Sequence, residues 1–486
     1  MAATASDGVA RALRAFCGRS DGENDSAKEM DATPLALVLE TRRQQQRRAN
    51  TKKRTKAKQQ TRDAPADDDK DDVAVASIDE QIRALPRKLL HAFCDVTLAF
   101  ADAHLREDAP PLSAEELLVI DVAAQFATIL VADEQQITTI DQGRVIALAQ
   151  QFHGRLLRLR GDPASVEAAQ DAIAALCEGV WTARYSSDCK SVITQLLPYL
   201  IVRAYESQPS DAFQSKRHPI RRLYAVRDAL LELDFQDESS GLLRDILLRC
   251  YIQPNFFRSP DAVAFLGFLF ELHAPFIVDI NATIRNQIPN QRKSILKKFG
   301  AIYFKAWVSS QKTNTEESEA IRVCIEEQCI QRYVHDAVHA GSISLFTAVR
   351  AVLQIFFENK RHTGVDEMLY RITSPILWRG VKAANDSVRR QAAVLLFDNF
   401  PLRDPHFNHE MLDRALQKQF DVFEELLGDS HPAVRIAAIQ GVAKVLSVYW
   451  ELLPAETIRC FISKLVVDLV NDVSSSAVRA AVFEGV

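Results

Sequence analysis

Asp429-Ser-His-Pro-Ala-Val-Arg-Ile-Ala-Ala438 is the stretch on which the fold turns. Its pattern returns twice, as Asn385-Asp-Ser-Val-Arg-Arg-Gln-Ala-Ala393 and as Asp472-Val-Ser-Ser-Ser-Ala-Val-Arg-Ala-Ala481. The Val-Arg pairs Val388-Arg389, Val434-Arg435 and Val478-Arg479 are spaced by roughly 45 residues. Each segment reads as the start of a helix. An Asp, Asn or Ser before the first turn caps amides that have no partner within the helix, and Pro432 suits a first-turn position. After the cap, Val434, Ala437, Ala438, Gly441, Val442 and Val445 fall on one face at i, i+3, i+4 spacing. Small residues on that face let a partner helix approach closely. The arginine follows the buried valine and is expected to point away from the core. There it meets the capping acid, a carboxylate on the neighbouring repeat, or a ligand.

A period near 45 residues is that of HEAT-type helix pairs. Working outward, helical stretches are expected at Leu117–Val131, Ala168–Trp181, Val192–Tyr205, Arg222–Leu233, Ala262–Leu272 and Leu345–Phe357. Ser113-Ala-Glu-Glu116 has the form of a capping box ahead of the first. Breaks carry Pro, Gly, Asn or Asp, as in Gly161-Asp-Pro163, Gln208-Pro-Ser210, Gln253-Pro-Asn255 and Ile288-Pro-Asn290. Only 16 of 486 residues are glycine, well under the roughly 7% usual in proteins, which disfavours a turn-rich β fold. The expected fold is all-α: a HEAT/armadillo-like α-solenoid of stacked antiparallel helix pairs. No run approaches the ~18 apolar residues of a membrane helix. The eight cysteines follow no disulfide framework and read as reduced core thiols.

Four regions follow: an N-terminal, partly helical segment (1–40), a disordered charged linker (41–76), and two solenoid parts (77–360 and 361–486). The linker holds Arg42, Arg43, Arg47, Arg48, Lys52, Lys53, Arg54, Lys56 and Lys58, then Asp63, Asp67, Asp68, Asp69, Asp71 and Asp72. So little apolar side chain cannot offset the entropy of ordering. The basic run has three readings: a nuclear import signal, a flexible arm on DNA phosphates, or a solvated linker.

Several stretches resemble the G-type HEAT subunit of condensin II. They include Leu369-Tyr-Arg-Ile-Thr-Ser-Pro-Ile-Leu-Trp-Arg-Gly-Val-Lys-Ala-Ala-Asn-Asp-Ser-Val-Arg389 and its continuation Ala392-Ala-Val-Leu-Leu-Phe-Asp-Asn-Phe-Pro-Leu-Arg-Asp-Pro405. Val448-Tyr-Trp-Glu-Leu-Leu-Pro454 and Ala301-Ile-Tyr-Phe-Lys-Ala-Trp307 are similar too. The resemblance covers roughly residues 80–486 and leaves out the charged stretch at 42–72. Members of that family continue through further repeats, so the chain reads as a C-terminally truncated form ending inside a repeat. The resemblance implies a nuclear, chromosome-associated subunit acting in mitotic chromosome condensation. It would bind the kleisin subunit, be linked through it to the coiled-coil ATPase pair, and help hold DNA.

The residues supply no catalytic set. Walker-type phosphate loops, Gly-x-Ser-x-Gly elbows and Gly-x-Gly-x-x-Gly turns are absent from the sequence, so neither enzyme nor cofactor is expected. His335 and His339 have chelating spacing without a third ligand, and Cys324 and Cys329 read as packing thiols. Two basic clusters are candidates for facing DNA: Arg292, Lys293, Lys297 and Lys298, then Lys382, Arg389 and Arg390. Both are also readable as solvated helix faces. Membrane and small-molecule partners are not expected. The alternative function is a generic HEAT-type adaptor, such as a nuclear transport receptor or a phosphatase scaffold.

Overall fold

The computed structural model describes residues 111–131, 139–183, 187–207, 218–235 and 241–485, with a few positions in 94–102. The basic run at 42–58 and the acidic block after it lie outside the described residues. Two compact units result: one holds the described residues up to Glu206 with 228–233, and the other holds 207–227 with 234–485. The described residues contain helices and turns and no strand.

The first unit contains α1 (Ala114–Val131), α2 (Thr139–His153), α3 (Pro163–Ala183) and α4 (Leu196–Glu206). The capping box forms as read: the Ser113 amide donates to Glu116 Oε2 at 2.7 Å and the Glu116 amide to Ser113 Oγ at 3.3 Å. α1 packs along α3. His153 is buried at the end of α2, where its Nε2 accepts the Gln195 amide at 2.9 Å. Burial lowers its pKa to about 4, so the ring is neutral.

In the second unit come α5 (Pro219–Ala225), α6 (Gly241–Cys250), α7 (Pro260–Phe268), α8 (Ala274–Gln287) and α9 (Lys293–Ser309). α10 (Glu316–Val323) runs through a π-helical stretch, Cys324–Gln331, into α11 (Arg332–Val338). Then follow α12 (Ile343–Glu358), α13 (Val365–Gly380), α14 (Asp386–Asp398), α15 (His409–Leu427), α16 (Pro432–Tyr449), α17 (Ala455–Ser463) and α18 (Ser476–Gly485). The helix expected over 222–233 is broken: α5 stops at Ala225, and 227–232 form a 3-10 turn. Proline likewise tightens 254–257 and 288–290 into 3-10 turns, as the breaks in the sequence indicated.

Alternate helices stack in series. α7, α9, α12, α14, α16 and α18 pack each on the next, forming one layer. α13 pairs with α14, and α15 with α16, placing the intervening helices in a second layer. This is the HEAT-like solenoid of helix pairs that the repeat implied. The small-residue faces allow the approach. A Cβ at Gly441 would lie 2.1 Å from the Phe397 ring, and one at Gly300 would lie 2.4 Å from the Val352 carbonyl oxygen.

The Phe400-to-Pro405 turn that marks the resemblance is held from several helices. Lys360 Nζ donates to the Asn399 carbonyl at 2.7 Å and to that of Pro401 at 2.6 Å. Gln419, fully buried on α15, exchanges two bonds with the Leu402 backbone at 2.8 and 2.9 Å. Tyr449 on α16 donates to the Phe400 carbonyl. The distinctive sequence is therefore a junction held by α15, α16 and the turn that follows α12.

Candidate functional site

The repeat arginines form a ladder. Arg389 donates to its own turn, at the Ala383 and Ala384 carbonyls, with Nη1. Its Nε and Nη2 then grip Asp429 of the next repeat at 2.8 and 3.0 Å. Arg435 repeats the arrangement: Nη1 donates to the Asp429 and Ser430 carbonyls, and Nη2 lies 2.8 Å from Asp472 Oδ2. Arg479 holds the Asp472 carbonyl at 2.6 Å. Each aspartate also caps its own turn: Asp429 accepts the His431 amide, and Asp472 those of Ser474 and Ser475. A guanidinium fork can serve a turn and still take a carboxylate through two parallel bonds, whereas a lysine ammonium meets a carboxylate as a point charge.

Burial alone would raise the Asp429 carboxyl, but the Arg389 guanidinium and the His431 amide more than offset it and hold it below the usual carboxylate range. The Ser474 hydroxyl, with amides and Arg435, does the same for Asp472.

The geometry corrects two expectations. Arg435 is itself buried, not pointing away from the core, and Val388 is only half-buried, unlike Val434 and Val478. Arg389 is committed to the ladder and is not available to face DNA.

A second set of cations occupies the open stripe of the α9–α12–α14–α16 layer. Asp398, near the end of α14 and 3% exposed, is bridged from both neighbouring helices. Arg350 on α12 takes it bidentately at 2.6 and 2.9 Å, and Lys444 on α16 approaches to 3.3 Å. Arg390 and Val394 lie two turns and one turn before Asp398, on the same stripe. On α9, Lys297 and Lys305 are exposed two turns apart. Asp398 thus spends its charge internally, and Lys297, Lys305 and Arg390 add positive charge to the stripe. A row of spaced cations on a helical surface suits a polyanion read by charge, not by base edges.

The sequence clusters are sorted by this stripe. Lys297 and Arg390 lie on it. Arg292 and Lys293 are exposed at the start of α9, and Lys382 is exposed just before α14. Lys298 turns back to the Phe257 carbonyl and is half-buried, so it does not face outward. Lys305, Arg350 and Lys444 were missed. Lys305 was legible as the i+8 partner of Lys297, whereas Arg350 and Lys444 sit alone in sequence and are collected only by helix stacking.

His335 and His339 are exposed with ring centroids 4.4 Å apart, and Asp336 between them is engaged by Arg285 at 2.5 Å. Among the described residues no three metal-ligating side chains converge. Burial pushes the Cys329 thiol up, as befits a packing residue.

Paired helices stacked in series and bridged by an Arg–Asp ladder define a HEAT-type repeat protein. Residues 249–404, which include the Phe400 turn, match the family described as "Condensin II non structural maintenance of chromosomes subunit". The chain is 40% identical over 266 residues to "Condensin-2 complex subunit G2" of Xenopus laevis, a match covering 54% of this chain and 22% of that protein. The subunits so named in Mus musculus and Homo sapiens are 39% and 38% identical over 54% of this chain and 23% of each. The chain thus spans about a quarter of the length of these relatives or less. A crystal structure of a Kap121p mutant superposes with a TM-score of 0.34 at 11% identity, covering 99% of this chain and 56% of that one.

Proposed function

We propose that this chain is a non-catalytic scaffold subunit of a condensin II-like complex, acting at nuclear chromosomes in mitotic condensation. The similarity to the condensin-2 G2 subunits carries the reading. In it, the chain binds the kleisin subunit, joins through it the coiled-coil ATPase pair, and helps hold DNA. The stripe of Lys297, Lys305, Arg350, Arg390 and Lys444 is the surface suited to the duplex. Asp398 offsets one of the charges of Arg350 and Lys444, and each remaining positive charge would neutralise a phosphate and release a counterion, without base readout. Arg292, Lys293 and Lys382 flank it and would extend the same contact. The basic run Arg42–Lys58 would serve as a nuclear address or as a second DNA contact, a solvated linker being the remaining reading. The solenoid parts, 77–360 and 361–486, act together as the scaffold.

The test has two arms. Gentle purification of the tagged protein from its own cells should recover a kleisin and two coiled-coil ATPases. Recovery of transport cargo or a phosphatase instead would favour a generic adaptor. Separately, duplex binding should weaken with salt at a log–log slope of about −4 if about four phosphates are neutralised. Replacing Lys297 and Arg390 with Ala should reduce that slope by about 2, uniformly across sequences. An unchanged slope would remove the stripe from the DNA-holding role.

A further inference from the structure

The layer containing α6, α8 and α10 carries a surface of the opposite kind. These helices lie side by side: Arg244 on α6 reaches Asp279 on α8 at 3.3 Å, and the Cys324 thiol just past α10 lies 3.7 Å from the Ala274 carbonyl on α8. Each presents one large apolar side chain to solvent. Leu242 is 79% exposed, Val278 52% and Val323 38%. Burying such side chains is favourable, and scattered single residues of this kind are ordinary on a protein surface. A row of three, one per adjacent helix, is not scattered.

The rim is acidic. Asp245 follows Leu242 by one turn, and Glu316 and Glu327 stand one to two turns either side of Val323; all three are exposed. Glu317 adds to them at the start of α10. Of the nearby cations, Arg244 and Arg322 are engaged with Asp279 and Glu319. Arg249, exposed one turn past Asp245, stands against the four exposed carboxylates Asp245, Glu316, Glu317 and Glu327 and leaves the face net acidic. This face therefore repels the polyanion that the basic stripe attracts.

We infer that the Leu242–Val278–Val323 row, with its rim of Asp245, Glu316 and Glu327, docks a basic amphipathic helix of a protein partner. The charge fixes the sign of the occupant. The spacing fixes its form. Packed helices lie roughly 8–10 Å apart, and a residue every seventh position along a helix advances about 10.5 Å. A helix laid across α6, α8 and α10 thus meets the three apolar side chains with its own residues i, i+7 and i+14, while Lys or Arg on its flanks meet the carboxylates.

The test uses the full chain and a labelled synthetic peptide of about 18 residues, with leucine at every seventh position and lysines flanking each leucine. Its partner is an isomer of equal composition whose leucines are scattered around the helix. Fluorescence anisotropy should show the patterned peptide binding at least ten-fold more tightly than the scattered one. Val278→Asp and, separately, the pair Glu316→Lys and Glu327→Lys should each abolish that preference. Both variants alter exposed side chains, so their thermal midpoints and their duplex binding should stay at the wild-type values. Equal binding of the two peptides, or a patterned preference that survives Val278→Asp, would overturn the proposal. Neither result bears on duplex binding by the opposite layer, which is read separately in the same samples.

Discussion

Two stretches of the second unit solve the same problem, joining one helix pair to the next, by different chemistry. Between 251 and 371 the joints are unique, buried and aromatic. Tyr303 donates to Asn281 Oδ1 at 2.8 Å and shares a 3.0 Å bond with Tyr333, while Asn281 donates to the Gln328 carbonyl in the π-helical stretch. Trp307 donates to the buried Glu326 at 2.8 Å, and Arg371 reaches the same carboxylate from α13. Between 385 and 479 the joints are reiterated, the same Arg–Asp rung on successive turns. A buried network fails as a unit, because removing one member leaves the others desolvated and unpaired. A ladder loses one rung at a time, as nearest-neighbour stacks do. Uniqueness concentrates the stabilising interactions; repetition distributes them.

The glycines give the largest test of that contrast. A Cβ at Gly300 would meet backbone, the Val352 carbonyl, whereas one at Gly441 would meet the Phe397 side chain. Gly300→Ala should cost about 3 kcal/mol and Gly441→Ala less, about 2, because a ring can shift and a helix backbone must move whole. Urea midpoints at constant m would measure both. The reverse order would mean that the aromatic stretch is the softer of the two.

Tyr303→Phe comes next. It removes one hydroxyl yet strips a partner from both Asn281 and Tyr333 in the core, so a loss of about 2 kcal/mol is expected. Arg389→Lys, keeping the charge but losing the fork, should cost about half of that. Equal losses would erase the distinction between network and ladder.

The smallest effect is in pH. Asp429 and Asp472 are held below their unfolded values, so their contribution is complete above about pH 4 and is lost as pH falls through the folded values. Burial raises Tyr303 and Tyr333 instead, so their contribution is complete below about pH 10 and is lost as pH rises beyond it. Asp429→Asn should flatten the acid limb of a stability–pH curve and leave the alkaline limb in place; Tyr303→Phe should do the converse.

The same contrast explains what the sequence discloses. The ladder is legible because cap, valine and arginine sit within one short segment that recurs. Even so, the burial of Arg435 was missed, since nothing local reveals that the next repeat's Asp472 closes over it. The aromatic network is illegible: Tyr303, Asn281 and Tyr333 are 22 and 30 residues apart with no period. The basic stripe is half legible. Lys297 announces itself within a cluster, whereas Lys444 becomes part of a surface only when α16 lies beside α14.

The ladder has a mechanical corollary. Each rung spans a single joint, so a small rotation at that joint stretches one pair and spares the rest. Two such joints in series behave as a spring whose deflection is shared. The aromatic stretch, where one displacement strains several buried bonds together, behaves as a clamp. A load carried along this unit would therefore be absorbed between 385 and 479, while the geometry around Tyr303 and Trp307 stays fixed.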